Sequence, residues 1–220
     1  MSRHEAKLGG LAGILGVALL ILSFAINSGA PPSASMPELL AFGHQHYRSI
    51  LWGAWMQAVG PVLIILFAFT LVFLAGAERR LAGWMTLLGA TILMMVSLIE
   101  ITFYMSALHT DPDTLPFISL QLIAAVQHLY FIVAAPALFV PLGVILVRSS
   151  VLPRAFGYLA LVLAAIFGGL GVAFLLDLTL PAPVTAVAGV QALWWLAAAV
   201  TLLLRGERAH PITLPTAEER

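Results

Sequence analysis

Six apolar runs, at 8–28, 50–75, 81–108, 119–147, 155–176 and 184–204, constrain this chain more than anything else in it. A helix needs about 20 such residues to cross the roughly 30 Å hydrocarbon layer of a bilayer, and in lipid only a helix or a closed barrel satisfies its own backbone. Runs this long are twice what a spanning strand requires. The sequence therefore predicts an all-α fold, a polytopic six-helix transmembrane bundle over residues 1–204 followed by a polar cytoplasmic tail at 205–220.

Composition closes the soluble alternative. Of the 220 residues 61% are hydrophobic and 9% charged, against about 25% charged in a soluble domain. With zero formal net charge there is no basic face for nucleic acid. The chain has no cysteine, which excludes disulfides, a thiolate zinc site, a thiol nucleophile and a CxxC redox couple.

Lys and Arg set the expected orientation, since cytoplasmic loops retain an excess of them. If six spans alternate, Arg3, Lys7, Arg79, Arg80, Arg148, Arg154, Arg205, Arg208 and Arg220 share one side and Arg48 takes the other. Both termini are thus expected in the cytoplasm, with the protein in the inner membrane. Trp84 near the inner boundary and Trp52 and Trp55 near the outer one fit an interfacial belt. A cleaved signal peptide is the competing reading of the first run, but that run is longer than the usual signal core. Gly9, Gly13 and Gly16 also give it a face for close helix packing.

The first outer loop carries a helix signature. Ser35 with Glu38 three residues on is a capping box, and Pro37 falls in the first turn, where its missing N–H costs nothing. A short interfacial helix is expected from Met36 to about Gln45. Pro61 in the second span and Pro136 and Pro141 in the fourth should kink their helices and free carbonyls a turn earlier, either to line a cavity or to be satisfied by a neighbour. Gly168, Gly169 and Gly171 read as close packing or a flexible point in the fifth span.

The three spans that run inward share a weak echo, a glutamine among apolar residues at Gln57, Gln127 and Gln191. Counting about 1.5 Å per residue puts Gln57, His128, Gln191 and Glu100 in one layer roughly 10 to 14 Å below the outer boundary. Tyr104 stands one turn above Glu100, and Gln121 two turns above His128, so both faces become polar outward. Such a layer describes a pocket open to the outer side.

Glu100 leads the candidates. A carboxyl at that depth costs several kcal/mol unless paired, solvated or protonated, so it is expected to be neutral when the pocket is empty and poised to exchange a proton. His128 is at the depth to meet it as acid–base partner or relay. The glutamines are as ordinary as interhelical hydrogen bonders as they are useful to a ligand. Trp194 and Trp195 fall at mid-span below Gln191, where indoles either pack between helices or form the floor of a pocket for an aromatic or cationic lipophile.

His44, His46, His109, Asp111 and Asp113 on the outer side have metal-ligand chemistry without diagnostic spacing, and no metal site is expected from them. A bis-His haem needs two intramembrane histidines and only His128 qualifies, so no cofactor is expected. The leading function is a transporter- or receptor-like membrane protein whose ligand-binding residues are Glu100, Tyr104, Gln57, His128, Gln191, Trp194 and Trp195. Its partners are membrane lipid, a small lipophilic or amphipathic molecule, and a second copy through the glycine faces. One alternative is a membrane-embedded isomerase, cyclase or hydrolase acting on a lipid-like substrate, with Glu100 and His128 catalytic. Another is an assembly subunit without a ligand, its polar layer serving only to join helices.

Overall fold

The computed structural model describes residues 3–26, 35–109, 122–123, 125–126, 128–176 and 181–208. Among them there are helices and no strands. They comprise α1 (Arg3–Ile26), α2 (Met36–Gln45), α3 (Tyr47–Leu74), α4 (Leu81–His109), a π-helical segment (Tyr130–Ala134) running into α5 (Ala135–Arg148), α6 (Arg154–Leu175) and α7 (Pro181–Arg208). Six stretches are long and apolar enough to cross a membrane: His4–Ile26, Tyr47–Leu74, Leu81–Ser106, Tyr130–Arg148, Arg154–Leu175 and Ala186–Arg205. The chain is an integral membrane protein of all-α, six-span architecture.

The spans form a closed ring. Each of α3, α4, α5 and α6 packs on its neighbours in the chain, α6 also touches α7, and α1 closes the ring by lying between α3 and α7. Antiparallel alternation puts the starts of α1, α4 and α6 and the ends of α3, α5 and α7 at one end of the bundle. That end carries Lys7, Arg79, Arg80, Arg148, Arg154 and Arg205, and the guanidinium of Arg205 ties it together by donating to the carbonyls of Ser150 and Val151 at 3.0 and 2.9 Å.

Apolar side chains on every face of a helix suit a bundle that has lipid outside and a packed interior. Phe67, Phe139 and Phe167 fill the centre with no exposed surface, whereas Leu81, Phe73 and Leu175 point outward and are more than half exposed. Small residues let the backbones meet. A Cβ placed on Gly16 of α1 would stand 2.8 Å from the carbonyl oxygen of Gly60 on α3, and one on Gly13 would meet Phe67 and Ala199. The α1 glycine face predicted for close packing is therefore occupied within the chain by α3 and α7.

The loop helix α2 forms over the expected residues. Its Glu38 carboxylate accepts hydrogen bonds from the amide and hydroxyl of Ser35, both 2.7 Å, and these bonds, the hydroxyl first, hold that exposed carboxyl below the ordinary glutamate range. The prolines behave less uniformly than their shared chemistry implies. The helix α3 continues through Pro61, while the span holding Pro136 widens just before it into the π segment, closed by the Ala135 amide donating to the Tyr130 carbonyl. A π turn relieves the clash between a proline ring and the preceding turn by inserting one extra residue. At the other end of the chain, α7 remains helical to Arg208, beyond the point where the apolar run stops.

Candidate functional site

Ser97, Glu100 and Tyr104 share one face of α4, being spaced three and four residues apart. Opposite them on α3 is Gln57, whose side-chain amide Nε2 donates to Oε2 of Glu100 at 3.0 Å. The backbone explains why Gln57 is held there. Pro61 has no N–H, so the carbonyl four residues earlier, that of Gln57, lacks its helical donor. The Ser97 hydroxyl supplies one from α4 at 3.2 Å. Of the two fates foreseen for a freed carbonyl, satisfaction by a neighbour is the one realised here. Pro141 likewise deprives the Ala137 carbonyl of its helical donor in α5, and that carbonyl lies directly against Gly89 of α4, a position with no room for a Cβ.

A second polar pair crosses the bundle. Tyr130, at the start of the π segment, donates its hydroxyl to Oε1 of Gln191 on α7 at 2.6 Å. The π segment that carries Tyr130 packs against α4, which carries Glu100 and Tyr104, so the two pairs stand on adjoining elements. Gln57, Glu100, Tyr104, Tyr130 and Gln191 are all half-buried. These five residues reach from α3 and α4 through the π segment to α7.

Beneath them lies an aromatic stack. Trp194 and Trp195 retain 5% and 2% of their exposure, with ring centroids 4.7 Å apart and both 5.4 Å from Phe139. Phe67 meets Trp195 edge-on at 5.9 Å, and the Trp194 indole N–H donates to the Phe156 carbonyl at 3.0 Å. These contacts make the tryptophans the packed centre of the bundle below Gln191.

His128 lies two residues before the π segment, at the outer part of its span. Its exposed ring sets an edge against Phe174 of α6, 4.9 Å between centroids. Gln121, Gln127 and Asp111, and the side chain of His109, lie outside the described residues. On α2, His46 stacks on Phe42 at 4.2 Å with Nδ1 3.1 Å from that residue's carbonyl oxygen, and His44 is exposed. Among the described residues no three His, Asp or Glu side chains gather as metal ligands would.

No family model matches this chain, nor does any curated protein or solved structure. The chemistry of the site must therefore be argued from its own groups. A carboxyl that accepts from the Gln57 amide, in a group of five residues that also holds two phenols, can give or take a proton or face a cationic group. Ser97 is the participant that the sequence reading missed. Two clues were present: its place one turn before Glu100, and the fact that the carbonyl freed by Pro61 belongs to Gln57.

Proposed function

We propose that the protein binds a small lipophilic or amphipathic molecule, cationic at one end, at the polar neighbourhood around Glu100, and acts as a transporter- or receptor-like module of the inner membrane. The supporting observation is the Gln57–Glu100 hydrogen bond at 3.0 Å inside two spans, with both residues half-buried instead of packed away. A carboxyl within a span is costly, and such groups mark ligand and proton pathways in membrane proteins. Glu100 serves as counter-ion or proton-coupling group. Gln57 and Ser97 position it, Tyr104, Tyr130 and Gln191 orient the ligand, and Trp194 and Trp195 support the pocket from below. His128 stands at the α6 side, where it shares the proton or guides entry. The basic end faces the cytoplasm, which places both termini there and α2 along the outer surface.

Tetraphenylphosphonium, a lipophilic cation with aromatic faces, is a suitable probe in equilibrium dialysis against the detergent-solubilised protein. Saturable binding is expected, weakened about tenfold or more in Glu100→Gln, the loss expected when a partly buried charge loses its partner, and unchanged in Glu78→Gln, whose carboxyl is exposed in the α3–α4 turn. Equal binding by wild type and Glu100→Gln would reject the reading.

A further inference from the structure

At the basic end of the bundle, far from Glu100, the turn between α3 and α4 and the end of α5 enclose a cleft of about 320 Å³. Its lining combines two kinds of surface. Arg80 and Arg148 stand on it with Ser149, while Ala77, Val144 and Ile145 form an apolar wall. Neither guanidinium has an ion pair or hydrogen bond among the described residues, in contrast to that of Arg205, which is committed to two carbonyls. The Ser149 hydroxyl is buried and has no hydrogen-bond partner. A buried polar atom left unsatisfied is uncommon enough to need an explanation.

We infer that this cleft binds the phosphate of an anionic phospholipid, with the first methylenes of its acyl chain along the apolar wall. Two guanidiniums on one small cleft match the geometry and charge of a phosphate, and the free Ser149 hydroxyl supplies a neutral donor. The start of α4 adds to the same field. Its first-turn amides have no helical acceptor, that turn holds no acidic residue, and Leu81 and Ala82 line the cleft. The nearby Glu78 carboxylate is exposed and not part of the lining.

The depth favours lipid over a soluble phosphate. Trp84 and Tyr158, four and five residues into helices that start at this end, are 64% and 57% exposed, as side chains at the headgroup level of a membrane are. Basic pockets between spans are where anionic headgroups are held. An apolar wall has no use to a free ion, whereas an acyl chain continues along it into the bilayer.

Native mass spectrometry of the detergent-solubilised full chain tests this, titrating phosphatidylglycerol against phosphatidylcholine of the same acyl chains. One phosphatidylglycerol is expected to bind in preference to phosphatidylcholine. The double substitution Arg80→Gln/Arg148→Gln should weaken it about thirtyfold, the factor two arginines contribute at an anionic membrane surface. Arg79→Gln/Arg154→Gln, which removes the same charge from this end without touching the cleft, should weaken it less than about threefold. Three results would overturn the inference: equal retention of the two lipids, equal losses in the two double variants, or displacement of phosphatidylglycerol by millimolar inorganic phosphate, which would identify a soluble phosphate as the occupant. All four substituted positions lie at exposed side chains, so folding is expected to survive, and an unchanged elution volume in size-exclusion chromatography checks it.

Discussion

Gln57 is the residue whose removal separates a structural from a functional role for the polar layer. Its side chain holds Glu100 at 3.0 Å, and leaving a buried polar group without its partner costs about 1–3 kcal/mol, whereas exchanging one hydrogen-bonding group for another costs little. Gln57→Leu should therefore lower the unfolding temperature in detergent, while Glu100→Gln, which keeps a side chain able to accept from the Gln57 amide, should leave it nearly unchanged. A Glu100→Gln protein that unfolds more easily than Gln57→Leu would show that the carboxylate itself is a structural ion. The same pair of residues shows how local chemistry propagates. Pro61 frees a carbonyl, Ser97 takes it, and the side chain on that residue ends beside Glu100.

Between helices the decisive quantity is how closely backbones approach. At Gly16 a Cβ would sit 2.8 Å from the Gly60 carbonyl, but at Gly168 and Gly169 it would meet nothing within 4 Å. Only Gly171 of that cluster is packed, against Ile132 of the π segment. Gly16→Val is thus expected to destabilise the bundle by about 3 kcal/mol through overpacking between α1 and α3, and Gly168→Ala to be neutral or slightly stabilising. Thermal unfolding of the two variants side by side checks this. Equal effects would mean that α1 does not seat on α3 as described. The π segment belongs at this scale too. By adding a residue to the turn before Pro136 it sets the direction of Tyr130, which reaches Gln191 across the bundle.

For the molecule as a whole, length and charge made the six spans and their alternation legible, because a run of apolar residues needs no partner to be recognised. Depth was legible too. Counting from the loops put Gln57, His128, Gln191 and Glu100 in one layer, and within it Gln57 bonds to Glu100 and Gln191 to Tyr130. Direction around each helix was not legible, since a span that is apolar on every side has no stripe to orient it. That is why the two tryptophans could not be assigned to core or pocket in advance, and why the ring of Phe174 beside His128 was not foreseen. Orientation in the membrane is a separate test, made easy by the absence of native cysteine. A cysteine at Gln45 should react with an impermeant reagent in intact cells and one at Glu78 should not, and the reverse pattern would invert the topology. The central claim, that the Glu100 neighbourhood holds a ligand, is tested most directly by mass spectrometry of small molecules carried through detergent purification of the wild-type chain and Glu100→Gln. A lipophilic molecule is expected to co-purify with the wild type and to be lost from the variant while both elute as folded protein. The same molecules, in the same amounts, on both proteins would contradict it.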